Sequence, residues 1–192
     1  MRLVVGVTGA SGSIYAARAL SFLQSVAPER GIAVDVVFSK TGRLVWRHEI
    51  GTDPASYGFP IHAPGDMTAP FASGSARYDA MVVVPCSAGA LSRIALGISH
   101  DLVGRAADVM LKERRPLVLV LRESPYGLIH LRNMVAVTEA GACVMPASPS
   151  FYSGAKTIEQ AVDTVVARMF DQIGVENDLV RRWSGLHPEE RT

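Results

Sequence analysis

The string Thr8-Gly9-Ala10-Ser11-Gly12-Ser13 follows the apolar run Leu3–Val7 and leads into a segment with helical spacing. Small residues let the backbone turn sharply, and hydroxyls then surround the free N–H groups of a helix start. That combination favours an anion, most simply a phosphate. The same string would also serve as a tight βα turn that binds nothing. Gly6, Gly9 and Gly12 have the spacing GxxGxxG rather than GxGxxG, and the next apolar run ends in Phe38-Ser39-Lys40 with no acidic residue for an adenosine ribose. A nicotinamide dinucleotide is thereby disfavoured. Two more polar clusters, Pro85-Cys86-Ser87-Ala88-Gly89-Ala90 and Arg122-Glu123-Ser124-Pro125, each follow a valine-rich run. Singly they read as helix caps or turns. Together they gather hydroxyls and charge at one sheet edge, where a mononucleotide such as FMN finds a phosphate site and polar partners.

The elements that must position these residues are legible as alternation. Leu3–Val7, Ala33–Phe38, Ala80–Val84, Leu117–Leu121 and Ala142–Met145 are short and continuously apolar, as strands covered on both faces require. Between them, Ser13–Val26, Thr41–His48, Ala88–Ile94, Leu102–Lys112 and Ile129–Ala140 have helical spacing. So does the stripe Ile158, Ala161, Val162, Val165, Val166, Met169, Phe170 and Ile173. The expectation is an α/β, doubly wound, mostly parallel sheet flanked by helices. It forms a single domain over 1–185, and the tail 186–192 is expected to be loose. Ile50–Arg77, with Pro54, Pro60, Pro64 and Pro70, is too interrupted for a long element and reads as a functional or interface-forming connection.

Composition narrows the function classes. At 192 residues with 48% hydrophobic content, the chain can bury a substantial core and suggests either a deeply buried sheet or an oligomer that covers apolar surface. A net charge of +1 leaves no basic stripe for nucleic acid, and no apolar run approaches the ~20 residues of a membrane span. Two cysteines, Cys86 and Cys143, form neither a disulfide framework nor a CxxC pair, which fits a reducing cytoplasm. The five histidines share no metal-ligand spacing.

Several strings taken together closely resemble the flavin prenyltransferases of the UbiX type. They are Thr8-Gly9-Ala10-Ser11-Gly12, Ser39-Lys40, Ala72-Ser73-Gly74-Ser75, Pro85-Cys86-Ser87, Arg105-Ala106-Ala107-Asp108-Val109, Leu111–Leu119, Arg122-Glu123, His130-Leu131 and Phe151-Tyr152. The resemblance spans Leu3 to about Trp183. It implies a flavodoxin-like or Rossmann-like flavoprotein, assembled as a homo-oligomer, often a dodecamer. Such an enzyme joins a dimethylallyl group from dimethylallyl phosphate to N5 and C6 of reduced FMN. The product, prenylated FMN, serves a UbiD-type decarboxylase.

The resemblance further implies that Gly9, Ala10, Ser11, Ser39, Ser87, Ala88, Gly89, Ala90 and Arg122 contact FMN. Tyr152 and Arg168 would hold the donor phosphate with Arg105, Lys112 and Arg122, and Ser11, Glu49, Lys112 and Glu123 would take part in the chemistry. The chain departs from the family pattern at Ala88 and Ala90, where threonine is common, and at Ser153, where histidine is. Physically, cleavage of an allylic phosphate builds negative charge that cations must hold, and loss of a proton from flavin C6 needs a base, for which Glu123 beside Arg122 is the candidate and the released phosphate the alternative. Glu49 would orient Lys112 or Ser11. No aspartate-rich cluster is present to carry magnesium, so the reaction is expected to be metal-independent.

Plainer readings stand beside these. Lys112–Arg115 also suits a charged helix end, Arg168 a solvated face, Tyr152 a core aromatic and Trp183 a packing contact. An FMN-dependent cysteine decarboxylase of the same fold is the alternative function, yet Pro85–Ala90 lacks the asparagine such enzymes carry there. A non-catalytic flavin-binding subunit would have no use for a second phosphate-holding set.

Overall fold

The computed structural model describes residues 1–183 and Gly185; the tail expected to be loose, 186–192, lies outside the described residues. Six strands, β1 (Arg2–Val7), β2 (Ala33–Phe38), β3 (Ile61–His62), β4 (Ala80–Cys86), β5 (Leu117–Leu121) and β6 (Cys143–Pro146), form one sheet. Its order is β3-β2-β1-β4-β5-β6, with every neighbouring pair parallel. The helices are α1 (Ser13–Arg30), α2 (Lys40–Glu49), α3 (Ala88–Ala95), α4 (Leu102–Lys112), α5 (Leu128–Glu139) and α6 (Ile158–Gln172). The expected doubly wound domain is therefore present.

Alternation along each strand builds two cores. Leu3, Val5, Val7, Val82, Val84, Val118 and Val120 face α1 and α6, whereas Val4, Met81, Val83, Leu119 and Leu121 face α3 and α4. Burial on both faces explains why these strands read as unbroken apolar runs. On the first face, Arg18 and Asp163 form a two-point ion pair at 2.8 and 2.7 Å that fixes α1 against α6.

Ile50–Arg77 contains only β3 and three short 3-10 turns, in keeping with its prolines. It is held down nonetheless. Asp35 of β2 accepts from Tyr78 Oη at 2.6 Å and lies 2.7 Å from His62 Nε2, and the Pro64 carbonyl accepts the N–H of Leu102 at 2.8 Å. This sets Pro64 and Gly65 beside the carboxyl ends of the strands.

Candidate active site

The strand order reverses direction between β1 and β4, and the loops after those two strands part there to leave a crevice. Thr8 stitches the two loops together. Its hydroxyl donates to the Pro85 carbonyl at 2.8 Å and accepts the Ser87 N–H at 2.8 Å, while its own N–H also reaches Pro85 O at 3.2 Å. A buried hydroxyl satisfied on both sides fixes the spacing of the loops. Ser39 and Ser87 each cap a helix, accepting from the N–H of Gly42 at 3.0 Å and of Ala90 at 3.2 Å. Both also line a cavity of about 470 Å³ with Gly9, Lys40, Thr41 and Arg93. The ends of β1, β2 and β4 thus meet at one place, and that volume lies within the ~300–1,000 Å³ usual for small-molecule sites. Pro64 and Gly65 of the proline-rich connection close one side.

Two glycines are dictated by this closeness. A Cβ on Gly9 would fall 2.5 Å from Thr41 Cγ2 and 2.6 Å from Thr41 Cβ, and one on Gly42 would fall 2.4 Å from the Val7 carbonyl oxygen. From the sequence, the small residues of this string are expected to let the backbone turn sharply. The structure shows the first turn of α2 already against Gly9.

The start of α1 differs from its sequence-based expectation. Its anion is part of the protein: the Glu49 carboxylate, at the last residue of α2, accepts the Gly12 N–H at 2.9 Å and the Ser13 N–H at 2.7 Å. Burial raises the Glu49 carboxyl pKa, but hydrogen bonds from the Ser11 hydroxyl and the Ser13 and Gly12 N–H groups outweigh it and set the pKa below the usual value. Glu49 therefore meets Ser11 while capping the start of α1.

Arg122 and Glu123 follow β5, one strand beyond the crevice. The Arg122 N–H donates to Cys86 O at 3.0 Å, and its side chain passes beside Gly12 and Tyr15. Burial raises the Tyr15 pKa and the Arg122 charge opposes that rise, while Tyr15 Oη donates to Ala147 O at 3.1 Å beyond β6. Glu123 Oε1 accepts the N–H of Ser124 at 2.9 Å. Cys86 lies in the same rim but is fully buried, and burial pushes its thiol up to about 12, so it is a protonated packing residue.

Tyr152 and Arg168 share a second cavity, of about 400 Å³, along the free edge of β6. Tyr152 is 74% exposed and packs edge-to-face on Trp183 with ring centroids 5.6 Å apart, so it is no core aromatic. Arg168 pairs with Asp171 at 2.9 Å, and Asp171 also takes both Arg182 nitrogens at 2.6 and 2.7 Å. Hydrogen bonds from Arg182 above all, with its charge and smaller contributions from Asn177 and Arg168, outweigh burial and lower the Asp171 pKa.

Arg105 and Lys112 lie apart from both cavities. Lys112 ends α4, which leads into the amino end of β5, so the length of the sheet separates it from the carboxyl rim. It pairs with Glu113, while Arg105 donates to Ala72 O at 2.9 Å and to Asp108 at 2.9 Å. Within one chain, Ser11, Glu49, Arg122 and Glu123 are brought near the crevice and Tyr152 and Arg168 to the next groove; Arg105 and Lys112 are not. Lys40, Thr41 and Arg93 are cavity residues that sequence reasoning did not single out for binding. For Lys40 the signal was its place next to Ser39; Arg93, six residues past Ser87 on a helix, gave none. Among the described residues no group of three or more His, Cys, Asp or Glu side chains is placed to hold a metal ion.

A family model described as Flavoprotein matches residues 1–170. Flavin prenyltransferase UbiX of Thermoplasma acidophilum is 44% identical over 186 residues, covering 95% of this chain and 100% of its own. The crystal structure of AnUbiX in complex with FMN and dimethylallyl pyrophosphate superposes with a TM-score of 0.91 and 41% identity, over 97% of this chain and 98% of that one. A dodecameric FMN-dependent UbiX-like decarboxylase from Escherichia coli O157:H7 gives a TM-score of 0.89 and 40% identity, over 96% and 100%.

Proposed function

Because the chain belongs to the flavoprotein family and, within it, to the UbiX flavin prenyltransferases, we propose the following division of labour among its residues. The protein is a flavin prenyltransferase that joins a dimethylallyl group to FMN. The observation that carries this reading is the crevice between β1 and β4, with a cavity of about 470 Å³ on one side and Arg122–Glu123 on the other. Its lining fits a flavin: small residues for close approach at Gly9, capping hydroxyls at Ser39 and Ser87, and cations at Lys40 and Arg93. Gly9, Ala10, Ser11, Ser39, Ser87, Ala88, Gly89, Ala90 and Arg122 hold FMN.

Reduced flavin supplies the nucleophilic N5 and C6. The residues do the rest. Tyr152, Arg168 and Arg122 hold the donor phosphate as its carbon–oxygen bond breaks, because negative charge grows there. Glu123 accepts the proton lost from C6 when the second bond, from carbon to carbon, closes the ring. Glu49 fixes the Ser11 loop from beneath. Arg105 and Lys112, turned away within the subunit, serve the site of a neighbouring copy. The exposed apolar side chains Leu128, Ile129, Leu131 and Val135 of α5 give such copies a contact face, in keeping with the dodecameric relative. No described helix is long and apolar enough to cross a membrane, and Cys86 and Cys143 are free thiols, which suits the cytoplasm. A UbiD-type decarboxylase receives the prenylated product.

Mass spectrometry of the extracted flavin tests the reading. Reduced FMN and dimethylallyl phosphate should give a flavin heavier by one five-carbon prenyl unit, without added metal. Unchanged FMN with both the phosphate and the diphosphate donor would overturn the assignment.

A further inference from the structure

Six arginines among the described residues are half-buried: Arg2, Arg18, Arg43, Arg93, Arg105 and Arg115. Five of them have acceptors. Arg2 and Arg115 donate to the carbonyls of Ala76 and Gly74, Arg18 and Arg105 meet Asp163 and Asp108, and Arg43 lies 3.7 Å from Asp53. Arg93 alone has neither a hydrogen-bond acceptor nor a carboxylate partner. Arg93 is half-buried, lines the cavity and meets no carboxylate, so its guanidinium is uncommitted and open to an anionic ligand there.

The surroundings say which ligand. Arg93 lies on α3 and folds back over the helix start, its Nη1 falling 3.6 Å from where a Cβ on Gly89 would stand. Lys40, likewise without a carboxylate partner, lines the same cavity, as do Ser39, Ser87 and Gly9. The one carboxylate in the wall, Asp101, is committed: its Oδ1 caps α4 through the Gly104 N–H at 2.8 Å, and its Oδ2 lies 3.8 Å from His100 Nδ1. The start of α1, the other place for an anion, is filled by Glu49. The prenyl donor's phosphate is assigned to Tyr152 and Arg168 in a separate groove.

We propose that Arg93, assisted by Lys40, clamps the phosphate end of the flavin and makes this chain choose FMN over riboflavin. The proposal rests on the flavin reading above and adds to it a specificity-determining residue. A planar guanidinium presents two parallel N–H donors to phosphate oxygens, which an ammonium cannot do.

Flavin fluorescence titrations of wild type, Arg93→Ala and Arg93→Lys with FMN and with riboflavin, at one fixed ionic strength, provide the test. Arg93→Ala should weaken FMN at least tenfold and leave riboflavin unchanged, and Arg93→Lys should recover part of the FMN affinity. The KM for dimethylallyl phosphate should not move. Equal loss for both flavins, unchanged FMN affinity, or a raised donor KM with FMN unaffected would each overturn the proposal while leaving the flavin reading in place. Wild-type protein that binds neither flavin would overturn both.

Discussion

The cavity behind the crevice and the groove along β6 are built differently. Around the first, the loops and helix starts are tied to the main chain: Thr8 links two loops, Ser39 and Ser87 cap two helices, and Gly42 lets α2 sit on the end of β1. The second is bounded by an edge strand, an exposed Tyr152 and a set of arginines drawn onto Asp171. The first cavity is preformed by the fold of one chain, whereas in the second the cations already hold protein partners. On the proposed division of labour, the flavin end is set before binding and the donor end is assembled as the donor arrives, Arg168 exchanging Asp171 for a phosphate.

If that contrast is right, intruding on the preformed cavity should do the greatest harm. Gly9→Val places branched carbon where Thr41 already lies within 2.6 Å of a single Cβ, so the turn must move. FMN affinity should fall at least a hundredfold, measured by titration, while circular dichroism still reports the α/β fold. Retained affinity would show that the cavity adapts and would erase the comparison.

Next in size is Arg168→Ala. Losing one charge-assisted phosphate contact corresponds to about 1.5–3 kcal/mol, or roughly a tenfold to hundredfold drop in kcat/KM for the donor, since each 1.4 kcal/mol is about a factor of ten. FMN affinity should stay as it was. Asp171→Asn sharpens the point, because it frees Arg168 and also loosens Arg182. Removal of the competing carboxylate should lower the KM for the donor if Arg168 is the governing partner, and raise it if the Arg182 anchor is.

Thr8→Val should be milder. The isosteric change leaves the Ser87 N–H without its acceptor in a buried position, at a cost of about 1–3 kcal/mol, read as a lower midpoint in urea. Flavin affinity should fall by less than in Gly9→Val, since the loops part without blocking the cavity.

How much of this was legible in the sequence depends on which link carries it. The sheet was legible because Leu3–Val7 and Leu117–Leu121 are buried on both faces and so advertise themselves as unbroken apolar runs. β3 was not, since Ile61–His62 is two residues long among prolines and is held by Asp35 rather than by any pattern of its own. Ser39 and Ser87 were legible from their place after a strand. Arg93 was invisible: what marks it is the lack of a partner in three dimensions, and one-dimensional spacing carries no record of that. The anion at the start of α1 was expected to be a ligand because glycines and hydroxyls signal a place for one. That it is Glu49, more than thirty residues away, depends on how α2 packs.

Glu49 also supplies the smallest effect and the finest discrimination between the two regions. Hydrogen bonds overcome burial to hold its folded-state pKa below the value of the unfolded chain. The stability it adds is therefore fully present above an unfolded carboxyl pKa of about 4.3 and is lost as pH falls through the lower folded value. Glu49→Gln keeps the side chain's shape but not its charge, so the cap weakens by about 1 kcal/mol at most, in the range of helix N-caps. Thermal melts of the two proteins should differ by a constant small margin from pH 7 to about pH 5 and converge in acid, the wild type approaching the variant. FMN affinity should shift only a few-fold, because the cavity walls rest on Thr8, Ser39 and Ser87 and Glu49 acts on the flavin only through the Ser11 loop. A loss in FMN affinity as large as that of Gly9→Val would mean that the Ser11 loop has no shape of its own without the Glu49 carboxylate, and that this side of the flavin site is not preformed.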